Sequence, residues 1–550
     1  MDWHAPIPVA PLCRLLDDAA RDYADKPALD FMDRVTSYAE LGRLADRAAK
    51  GFQALGIGKG SKVCLMLPNC PSYVIAYFGV LKAGGTVVNV NPLYAEHEIR
   101  NLIEDSEADT LVTLDLAALY GKAAKMLGTT RLKYIVVSPL AAQLPALKSV
   151  LFRLAKRKQI ARIPADGRHV LFGKLLDNDG AYERIACEPE RDIAVLQYTG
   201  GTTGLPKAAM LTHANVYANA HQSLLCFSQT RRGAEVMMGV LPFFHVFAMT
   251  VCMNFSIAAG AKMVLLPRFE IDGLLKAIAR KRPTFLPAVP TIFIAINSHP
   301  DVIAGKYDLR SIKLCISGGA PLPQEVQATF EKLTGAKLVE GYGLSEASPV
   351  TMCNPPSGKS RAGSLGLPLP GTICEITAVD EPERVLPQGE RGEICIRGPQ
   401  VMLGYWKRSE ESEQVLRGGR LHTGDIGYID PDGYVFLIDR LKDVILCGGY
   451  SVYPRYVEEA IYQHPAVQEV TVIGVPDPYR QQSVKAFVKL AEGQSLTAEA
   501  LRAFLKDRLS PIEMPRDIEF RAKLPKTLIG KLSKKELVAE EMNKASPGPT

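Results

Sequence analysis

A glycine- and threonine-rich segment contains the residue types that most directly suggest chemistry. It reads Tyr198-Thr-Gly-Gly-Thr-Thr-Gly-Leu-Pro-Lys207 and follows an apolar stretch, Ile193-Ala-Val-Leu-Gln. Glycines let backbone N–H groups converge on an anion, while hydroxyl and ammonium groups add donors and charge. We therefore predict a phosphate cradle formed by Thr199, Gly200, Gly201, Thr202, Thr203, Gly204 and Lys207.

This cradle does not have the spacing of a Walker loop. Gly204 is followed by Leu-Pro-Lys, whereas a Walker loop places Lys and then Ser or Thr directly after its last glycine. A P-loop kinase or GTPase is therefore disfavoured. A merely flexible loop is the alternative, but flexibility alone does not explain the clustered threonines.

Four further motifs contain groups that suit a nucleotide. They are Ser317-Gly-Gly-Ala-Pro321, Glu340-Gly-Tyr-Gly-Leu-Ser-Glu346, Thr423-Gly-Asp425 and Asp439-Arg-Leu-Lys442. Small residues after an apolar strand permit close approach to a flat base, and a carboxylate accepts two hydrogen bonds. A single Glu beside a hydroxyl suffices for Mg²⁺, which keeps most of its waters. Taken singly, such motifs are typical of turns and surface charges.

Together these motifs resemble the superfamily of adenylate-forming enzymes, which includes acyl-CoA synthetases, firefly luciferase and peptide-synthetase adenylation domains. The resemblance covers nearly the whole chain and is strongest to bacterial long-chain fatty-acid–CoA ligases. The similar segments include Val88-Asn-Val-Asn-Pro-Leu-Tyr94, Gln400-Val-Met-Leu-Gly-Tyr-Trp406 and Leu421-His-Thr-Gly-Asp425. The resemblance implies that ATP, with Mg²⁺, activates a fatty acid or related carboxylic acid as its adenylate, which then reacts with coenzyme A.

The resemblance also implies roles for individual residues. Tyr342 would stack on adenine, Ser345 would touch phosphate and Glu346 would hold Mg²⁺. Ser345 stands where threonine is commoner, and it keeps the hydroxyl. The other implied nucleotide contacts are Gly318, Gly319 and Ala320 at the adenine wall, Gly341 and Gly343 beside Tyr342, and Asp425 and Arg440 at the ribose.

The C-terminal part has its own signature, Pro525-Lys-Thr-Leu-Ile-Gly-Lys531. The resemblance implies that Lys531 is the catalytic lysine of adenylation, where a mobile ammonium offsets two approaching anions. It places the interdomain hinge at Lys442 and the pantetheine passage at Gly448 and Gly449. We interpret the nearby Lys523, Lys526, Lys534 and Lys535 as surface charge. Tyr479-Arg-Gln-Gln482 replaces the Gly-Glu often found there, which leaves the local CoA contacts open.

The segment Gly448-Gly-Tyr-Ser451 also mimics a carrier-protein attachment motif, with Ser451 as the modified residue. We discount that interpretation because the motif lies between apolar runs and not at the start of a helix in a separate carrier domain.

His245, in Leu241-Pro-Phe-Phe-His-Val-Phe, is predicted to border the acyl pocket, where it would orient the carboxylate or gate CoA entry. A structural histidine is the alternative. Met249 occupies the place of a gating tryptophan in some relatives, so a gate of that kind is unsupported. Candidate residues for an apolar tunnel are Phe243, Phe244, Phe247, Met249, Met253, Phe285 and Phe293.

Other functions remain open from sequence alone. A dicarboxylate such as pimelate would need a polar or cationic partner at the far end of the tunnel. A luciferase-like oxygenase or a peptide-synthetase module would use the same adenylation residues, although the second also needs a carrier domain. A catalytically silent lipid-binding scaffold is the alternative from a different class.

Strands and helices alternate in the first two thirds of the chain. Lys62-Val-Cys-Leu-Met-Leu predicts a buried strand, Ser72 to Ala83 a helix and Gly85-Thr-Val-Val-Asn-Val a second strand. Such alternation predicts an α/β fold: a large N-terminal domain of two helix-covered sheet subdomains. Short strands after about Gly363 predict a small β-rich subdomain within the same domain.

A small, mobile α+β C-terminal domain is predicted beyond Asp439. Its elements are a helix at Tyr456–Gln463, strands at Glu469–Gly474 and Lys485–Lys489, and a helix at Ala498–Leu509. We place the N-terminal domain at residues 1–439, the hinge at 440–442 and the C-terminal domain at 443–550.

Composition narrows the class of protein further. Hydrophobic residues make up 47% and charged residues 23%, as in ordinary globular proteins. The net charge of +6 comes without zinc-finger spacing or a basic stripe interleaved with aromatics, so nucleic-acid binding is not expected. Eleven cysteines without a CxxC pair, and an N-terminus without a signal-peptide pattern, favour a cytoplasmic location. The sequence leaves open whether the protein forms an oligomer.

Two segments raise the question of a membrane. Leu241 to Ala261 is long and apolar, but Pro242, His245 and Asn254 interrupt it, so we predict a buried helix. Residues 148–163 cluster positive charge with apolar residues at helical spacing, as a membrane-surface helix would. A solvated helix packed on the domain is the alternative, so peripheral association with the inner face of the membrane stays open.

Overall fold

Four β-sheets and the helices around them make up the described part of the chain. The structure is a computed structural model that describes residues 2–199, 206–447, 450–527 and 532–545, with only the backbone of residues 451 and 545. The strands, numbered in chain order, are β1 (Pro27–Phe31), β2 (Arg34–Ser37), β3 (Lys62–Met66), β4 (Thr86–Asn89), β5 (Thr110–Leu114), β6 (Tyr134–Ser138), β7 (His169–Leu171), β8 (Ile193–Thr199), β9 (Lys207–Thr212), β10 (Val236–Gly239), β11 (Lys262–Leu265), β12 (Phe285–Ala288), β13 (Leu314–Gly318), β14 (Lys337–Gly343), β15 (Val350–Cys353), β16 (Leu367–Pro368), β17 (Ile373–Thr377), β18 (Gly392–Arg397), β19 (Leu421–Ile429), β20 (Val435–Arg440), β21 (Ile445–Cys447), β22 (Tyr450–Val452), β23 (Val467–Asp477), β24 (Gln481–Leu490) and β25 (Asp517–Phe520).

The α-helices lie mostly between the strands in sequence. They are α1 (Arg14–Asp22), α2 (Tyr38–Ala54), α3 (Pro71–Lys82), α4 (Glu96–Ser106), α5 (Ala117–Met126), α6 (Ala146–Ala155), α7 (Phe172–Leu175), α8 (His213–Cys226), α9 (Phe255–Ala259), α10 (Ile271–Lys281), α11 (Pro290–Asn297), α12 (Pro300–Ile303), α13 (Gln324–Thr334), α14 (Ser409–Val415), α15 (Pro454–Tyr462), α16 (Ala498–Leu505) and α17 (Lys534–Ala545). A π-helix, Ala248–Asn254, runs directly into α9. A 3₁₀ turn, Ser345–Ala347, follows β14.

The first large sheet has seven strands in the order β7-β6-β5-β3-β4-β8-β9. Its strands pair in parallel except for β8 and β9, which are antiparallel. The central strands are apolar and buried because helices cover both faces, as expected of parallel sheets. Helix α3, buried along its whole length, connects β3 to β4. The predicted strand–helix–strand unit is therefore confirmed.

The second large sheet has nine strands in the order β16-β15-β14-β13-β12-β10-β11-β1-β2. Strands β10 to β14 pair with one another in parallel. Beyond β14, strands β15 and β16 are added in antiparallel pairs. The chain's first strand, β1, joins this sheet by pairing in parallel with β11. The carboxyl ends of β13 and β14 therefore lie at the same edge, where ligands of open α/β sheets usually bind.

Two smaller sheets complete the fold and agree with the predicted class. The β-rich subdomain is the antiparallel sheet β17-β18-β19-β20. A five-stranded sheet of β21 to β25, packed with α15, α16 and α17, forms the smaller C-terminal unit. Sheet membership changes between Arg440, the last residue of β20, and Ile445, the first of β21.

The predicted helix over Leu241–Ala261 was wrong at its start. The side chain of Asn69 donates to the carbonyl of Leu241 at 2.7 Å and accepts from the N–H of Phe243 at 2.8 Å. These bonds hold the first residues in a loop, and the helical stretch begins only after His245. It is buried as predicted. None of the helices in the described ranges has the length and apolar character needed to cross a bilayer.

Candidate active site

The phosphate cradle is predicted at the carboxyl end of β8. Thr199 pairs with Lys207 on β9, and the Thr199 hydroxyl donates to the Lys207 carbonyl at 3.3 Å. Gly200, Gly201, Thr202, Thr203 and Gly204 lie outside the described residues. The two described ends of the segment are thus adjacent at the edge of the seven-stranded sheet.

Tyr405 connects this edge to the predicted magnesium ligand. The ammonium of Lys207 lies 5.2 Å from the centre of the Tyr405 ring, and the Tyr405 hydroxyl donates to Oε1 of Glu346 at 2.7 Å. The N–H of Met402 donates to the backbone carbonyl of Glu346 at 2.8 Å. Both the side chain and the backbone of Glu346 are therefore held by the same segment.

That segment, residues 402–408, spans the two large sheets. The N–H of Leu403 and the N–H of Trp406 donate to carbonyls of β9. The indole N–H of Trp406 and the guanidinium of Arg408 also bind Asp105, at the end of α4. A single stretch of chain thus contacts the seven-stranded sheet and the Glu346 turn of the nine-stranded sheet.

The Glu346 turn has a donor set suited to Mg²⁺. Oε1 is held by Tyr405, and among the described residues Oε2 accepts no hydrogen bond. A carboxylate oxygen beside a phosphate site is the ligand that Mg²⁺ takes in nucleotide enzymes, where water and phosphate complete the octahedron. Ser345 precedes it in the same 3₁₀ turn. The residues present therefore fit the ion.

The predicted adenine wall is a close contact between two strands. Gly318 pairs with Gly341 at the ends of β13 and β14. A Cβ atom on Gly318 would lie 3.1 Å from Phe247 and 3.2 Å from the Gly341 carbonyl, and one on Gly343 would lie 2.1 Å from the Pro349 carbonyl. Gly319 has a φ of 81°, which favours glycine. Ala320 follows it, half-buried.

The predicted ribose ligands come together in one cluster. The Tyr342 hydroxyl donates to Oδ2 of Asp425 at 2.5 Å, and Nε of Arg440 lies 3.5 Å from Oδ1. Burial raises the pKa of the Asp425 carboxyl, and the Arg440 guanidinium opposes that shift. One oxygen of Asp425 is therefore already engaged by Tyr342, so a ribose would share this carboxylate with the tyrosine.

A buried acid that the sequence analysis missed supports Asp425. Glu393, on β18, accepts from the N–H of Gly424 at 2.9 Å and lies 2.8 Å from Nδ1 of His422. The Thr423 hydroxyl donates to the Ile394 carbonyl at 2.7 Å. The turn that carries Asp425 is thus fixed from both sides. The Gly-Glu-Ile pattern at the start of β18 was visible in the sequence but carried no specific signal.

A second missed acid, Glu340, lies on β14 directly before Gly341. Burial raises its pKa to about 7, and the Arg455 guanidinium lowers it. Arg455 belongs to α15 of the C-terminal unit, and its N–H donates to Oδ2 of Asp439 at 2.7 Å. Glu340 thus lies where β14, the strand that carries Tyr342, faces the C-terminal unit.

His245 caps the helix that follows it. Nδ1 accepts from the N–H of Phe247 at 3.3 Å, and the His245 carbonyl accepts from the N–H of Met249 at 2.9 Å. In the neutral ring the proton then resides on Nε2, which can donate to a carboxylate. A capping role is therefore present, and the predicted contact with substrate is compatible with it.

A small apolar cavity lies beside β13, the strand that ends at Gly318. Its volume is about 10 Å³, roughly the space that one water molecule needs. Leu314 and Ile316 precede Gly318 on the same face of β13, and Val251 and Phe255 follow Phe247 by one and two helical turns. The cavity is lined by Phe227, Met237, Val251, Phe255, Phe285, Pro287, Leu314 and Ile316. Gly318 and Phe247 themselves are not among its lining residues.

Only part of the predicted tunnel set belongs to this cavity. Phe285 lines it. Phe293 does not line it and packs edge-on against Phe330, with ring centres 4.9 Å apart. Phe243 packs instead on Tyr73, whose hydroxyl donates to the Phe243 carbonyl. Periodicity predicted burial for these rings but could not tell one buried region from another.

The C-terminal residues predicted for catalysis are only partly described. Lys531, Gly448 and Gly449 lie outside the described residues. Lys442 lies in a 3₁₀ turn between β20 and β21, and desolvation lowers the pKa of its ammonium. Of the lysines interpreted as surface charge, Lys526 is exposed and pairs with Glu469 at 2.7 Å, and Lys534 is half-buried and pairs with Glu458 at 3.2 Å.

Comparison with known proteins agrees with this arrangement. The profile of the AMP-binding enzyme family matches residues 16–406, and that of the AMP-binding enzyme C-terminal domain matches residues 456–531. A long-chain-fatty-acid–CoA ligase of Bacillus subtilis (strain 168) is 44% identical, over 98% of this chain and 95% of the relative. One of Haemophilus influenzae is 33% identical, over 96% and 94%.

Solved structures share the fold over nearly the whole chain. ATP-bound MatB from Rhodopseudomonas palustris superposes with a TM-score of 0.85 at 28% identity, covering 98% of this chain and 100% of that one. The anthranilate CoA ligase AuaEII in complex with anthranoyl-AMP gives a TM-score of 0.85 at 26% identity, covering 98% and 99%. The chain belongs to the AMP-binding enzyme family, as an adenylate-forming acyl-CoA synthetase. ATP is its nucleotide.

Proposed function

We propose that the protein is an ATP-dependent ligase of medium- and long-chain fatty acids with coenzyme A. The observation that carries this proposal is the 44% identity, over 98% of the chain, to a long-chain-fatty-acid–CoA ligase. An aliphatic chain that parts the apolar side chains beside β13 from the Gly318 edge would leave its carboxylate beside the nucleotide. The names of the relatives from Bacillus subtilis and Haemophilus influenzae support the same substrate class.

In the first half-reaction the fatty-acid carboxylate attacks the α-phosphorus of ATP, and pyrophosphate leaves. Two anions approach each other in this step, so donors aimed at the phosphates lower the barrier. Lys207, with residues 199–204, binds the phosphates, and Lys531 offsets the charge that develops between carboxylate and α-phosphate. When bound at Glu346, Mg²⁺ would neutralise the phosphate charge. Asp425 and Arg440 hold the ribose.

In the second half-reaction the thiol of coenzyme A attacks the acyl carbonyl, and AMP leaves with the electron pair of the broken C–O bond. We propose that residues 440–442 act as the hinge between domain 1–439 and domain 443–550. A turn at Lys442 would withdraw Lys531 and bring Gly448 and Gly449 alongside the pantetheine arm. In the first half-reaction, before the adenylate forms, His245 would orient the fatty-acid carboxylate.

The cavity favours an aliphatic acid over a dicarboxylate. Each buried methylene contributes about 0.8 kcal/mol, whereas a second carboxylate would need a polar or cationic partner. All eight lining residues are apolar.

A substrate panel tests the proposal. ATP–pyrophosphate exchange and AMP release are measured with acids from acetate to palmitate and with pimelate. We expect exchange to rise with chain length, and AMP to appear only when coenzyme A is present. No exchange with any acid would identify a silent scaffold, and a preference for pimelate would overturn the aliphatic assignment.

A cavity-filling variant links the preference to the cavity. Val251→Phe should move the optimum to shorter chains, with each excluded methylene lowering kcat/KM by about fourfold. Val170→Phe is the control, because Val170 is a half-buried valine of the other large sheet. An unchanged chain-length profile in Val251→Phe would place the acyl chain elsewhere.

We also propose that the enzyme works in the cytoplasm as a peripheral protein at the membrane, where free fatty acids accumulate. In the described structure all eleven cysteines are unpaired, as expected in a reducing compartment. Measuring the enzyme in soluble and membrane fractions at low and high salt tests this location.

A further inference from the structure

Helix α6 carries an apolar stripe that faces solvent instead of the core. Leu147, Val150, Leu151 and Leu154 are exposed by 73%, 56%, 55% and 74%. Their spacing of i, i+3, i+4 and i+7 places them on one side of the helix. No other helix in the described ranges has more than one exposed large apolar residue. The stripe is therefore a local feature and not ordinary surface scatter.

The same region concentrates the positive charge of the protein. Between Asp115 and Asp166 there is no Asp or Glu, whereas this stretch holds ten Lys and Arg residues. The net charge of the whole chain is only +6, so the rest of the chain is net negative. Arg153, Lys156, Arg157 and Lys158 lie in or directly after α6, and all four are exposed. The apolar stripe is thus bordered by cations.

The opposite side of α6 is fixed to the body of the protein. The ammonium of Lys148 donates to the carbonyl of Met32 at 2.9 Å and pairs with Asp33, which lies in the turn between β1 and β2. Phe152, one turn further along the helix, packs against the main core. Just after the helix, Ile160 bridges to Leu116. The helix is therefore presented rigidly, with its apolar stripe outward.

We propose that α6 docks in the interface of an anionic lipid bilayer, with Leu147, Val150, Leu151 and Leu154 among the acyl chains and the basic residues at the headgroups. Helices that lie on membranes combine an apolar face with Lys and Arg at its borders. Anionic headgroups supply the complementary charge. The inference deepens the proposed function, because a fatty-acid ligase at this surface takes an amphiphile that resides in the bilayer.

Flotation with vesicles tests this surface on the full-length enzyme. The probes are vesicles of phosphatidylcholine with one quarter phosphatidylglycerol, and vesicles of phosphatidylcholine alone. We expect wild type to bind the anionic vesicles at least about tenfold more tightly, and salt to weaken binding by screening. Leu147→Asp with Leu154→Asp should reduce binding about tenfold or more, because charge is inserted into the apolar contact.

Three further variants separate the electrostatic from the apolar contribution to vesicle binding. Arg157→Gln with Lys158→Gln should weaken binding to anionic vesicles several-fold and remove part of the salt dependence. Ile303→Asp, at a residue 66% exposed on α12, is the matched control and should bind as wild type does. Leu151→Trp should show a blue-shifted emission with anionic vesicles, since the indole enters an apolar environment.

Activity distinguishes failure of this inference from failure of the proposed function. All variants should retain wild-type acyl-CoA synthesis from a medium-chain acid presented in solution. If wild type does not float, or if the Leu147/Leu154 variant floats as wild type does, α6 is not a lipid contact and the ligase assignment stands. If that variant instead loses only self-association in sedimentation velocity, the stripe joins two copies of the chain and the inference is overturned.

Discussion

The nucleotide corner and the C-terminal unit hold their functional residues in different ways. Glu346 and Asp425 are fixed by hydrogen bonds to their side chains and to the turns that carry them, including those from Tyr405 and Glu393. In the C-terminal unit, Lys526 and Lys534 on either side of the Lys531 segment are tied into ion pairs within that unit. One side of the site is therefore preorganised, and under the proposed mechanism the other side supplies Lys531 from a unit that has its own ion pairs.

Removing Lys531 from the C-terminal unit should have the largest effect, and that effect should be confined to one half-reaction. We expect Lys531→Ala to lower acyl-AMP formation by about 10²–10³-fold or more, because a charge that stabilises the transition state is lost. Thioester formation from supplied acyl-AMP should be largely spared. Single-turnover kinetics of each half measure this. Lys535→Ala, at an exposed neighbour, is the control, and equal loss in both halves would contradict the division of labour.

Two variants on the preorganised side should distinguish Glu346, the predicted Mg²⁺ ligand, from Tyr405, the residue that positions it. Glu346→Gln should lower kcat for adenylation by about 10²-fold and raise the Mg²⁺ concentration needed, because the carboxylate charge is removed. Tyr405→Phe leaves the carboxylate but removes its hydrogen bond, so a loss of about tenfold is expected. Mg²⁺ titrations of the exchange rate check both. A loss in Tyr405→Phe as large as that in Glu346→Gln would mean that Tyr405 itself touches the substrate.

A smaller effect on ATP binding is expected at Glu393, which supports the turn that carries Asp425, the predicted ribose ligand. Glu393→Gln should raise KM for ATP by roughly tenfold with less change in kcat, because a charged acceptor of Gly424 N–H is replaced by a neutral one. The control is Glu375→Gln on the neighbouring strand, where Glu375 pairs with Arg420 and Arg397. Steady-state kinetics at varied ATP compare the two. If both variants behaved alike, the effect would belong to the sheet and not to the Asp425 turn.

The last prediction concerns not activity but stability, where the two units meet. Burial raises the pKa of Glu340 from its ordinary value of 4.5 to about 7, so the folded state binds the proton more tightly than the unfolded state. Stability from this group is therefore present at low pH and is lost as pH rises from about 4.5 to about 7, at a total cost of up to about 3 kcal/mol.

Glu340→Gln should remove this dependence and raise the melting temperature at pH 8, while leaving that at pH 5 nearly unchanged. Thermal melts across this range, with Glu459→Gln as a control on the facing helix, provide the measurement. An unchanged slope of stability against pH would show that Arg455 keeps Glu340 ionised in the folded state.

Elements of the fold could be predicted where burial on both sides requires a continuous run of apolar residues. Strands such as β3, Lys62–Met66, and the helix after it are buried on both sides, so their apolar runs identified them. The start of the helix near Leu241 was not predictable, because the side chain of a distant residue, Asn69, binds that backbone. Helix α16 also ends at Leu505, earlier than the predicted Leu509.

Residues of the site could be predicted from the sequence only where they lie in recognisable motifs. Tyr342, Asp425 and Arg440 were named from three separate segments, and the structure brings them together. Tyr405 was inside a recognised motif but had no role there, because its partner Glu346 lies 59 positions away. Lys531 and residues 200–204 remain predictions, since they lie outside the described residues.

The pairing of β1 with β11 also constrains how the chain is made. Phe31 is opposite Leu265, so during synthesis β1 waits for more than two hundred residues before its partner β11 is translated. At about 5–20 residues per second that delay is on the order of ten seconds to a minute. During this time an apolar strand edge is unpaired, and we expect newly made chains to depend on chaperones more than refolded ones do.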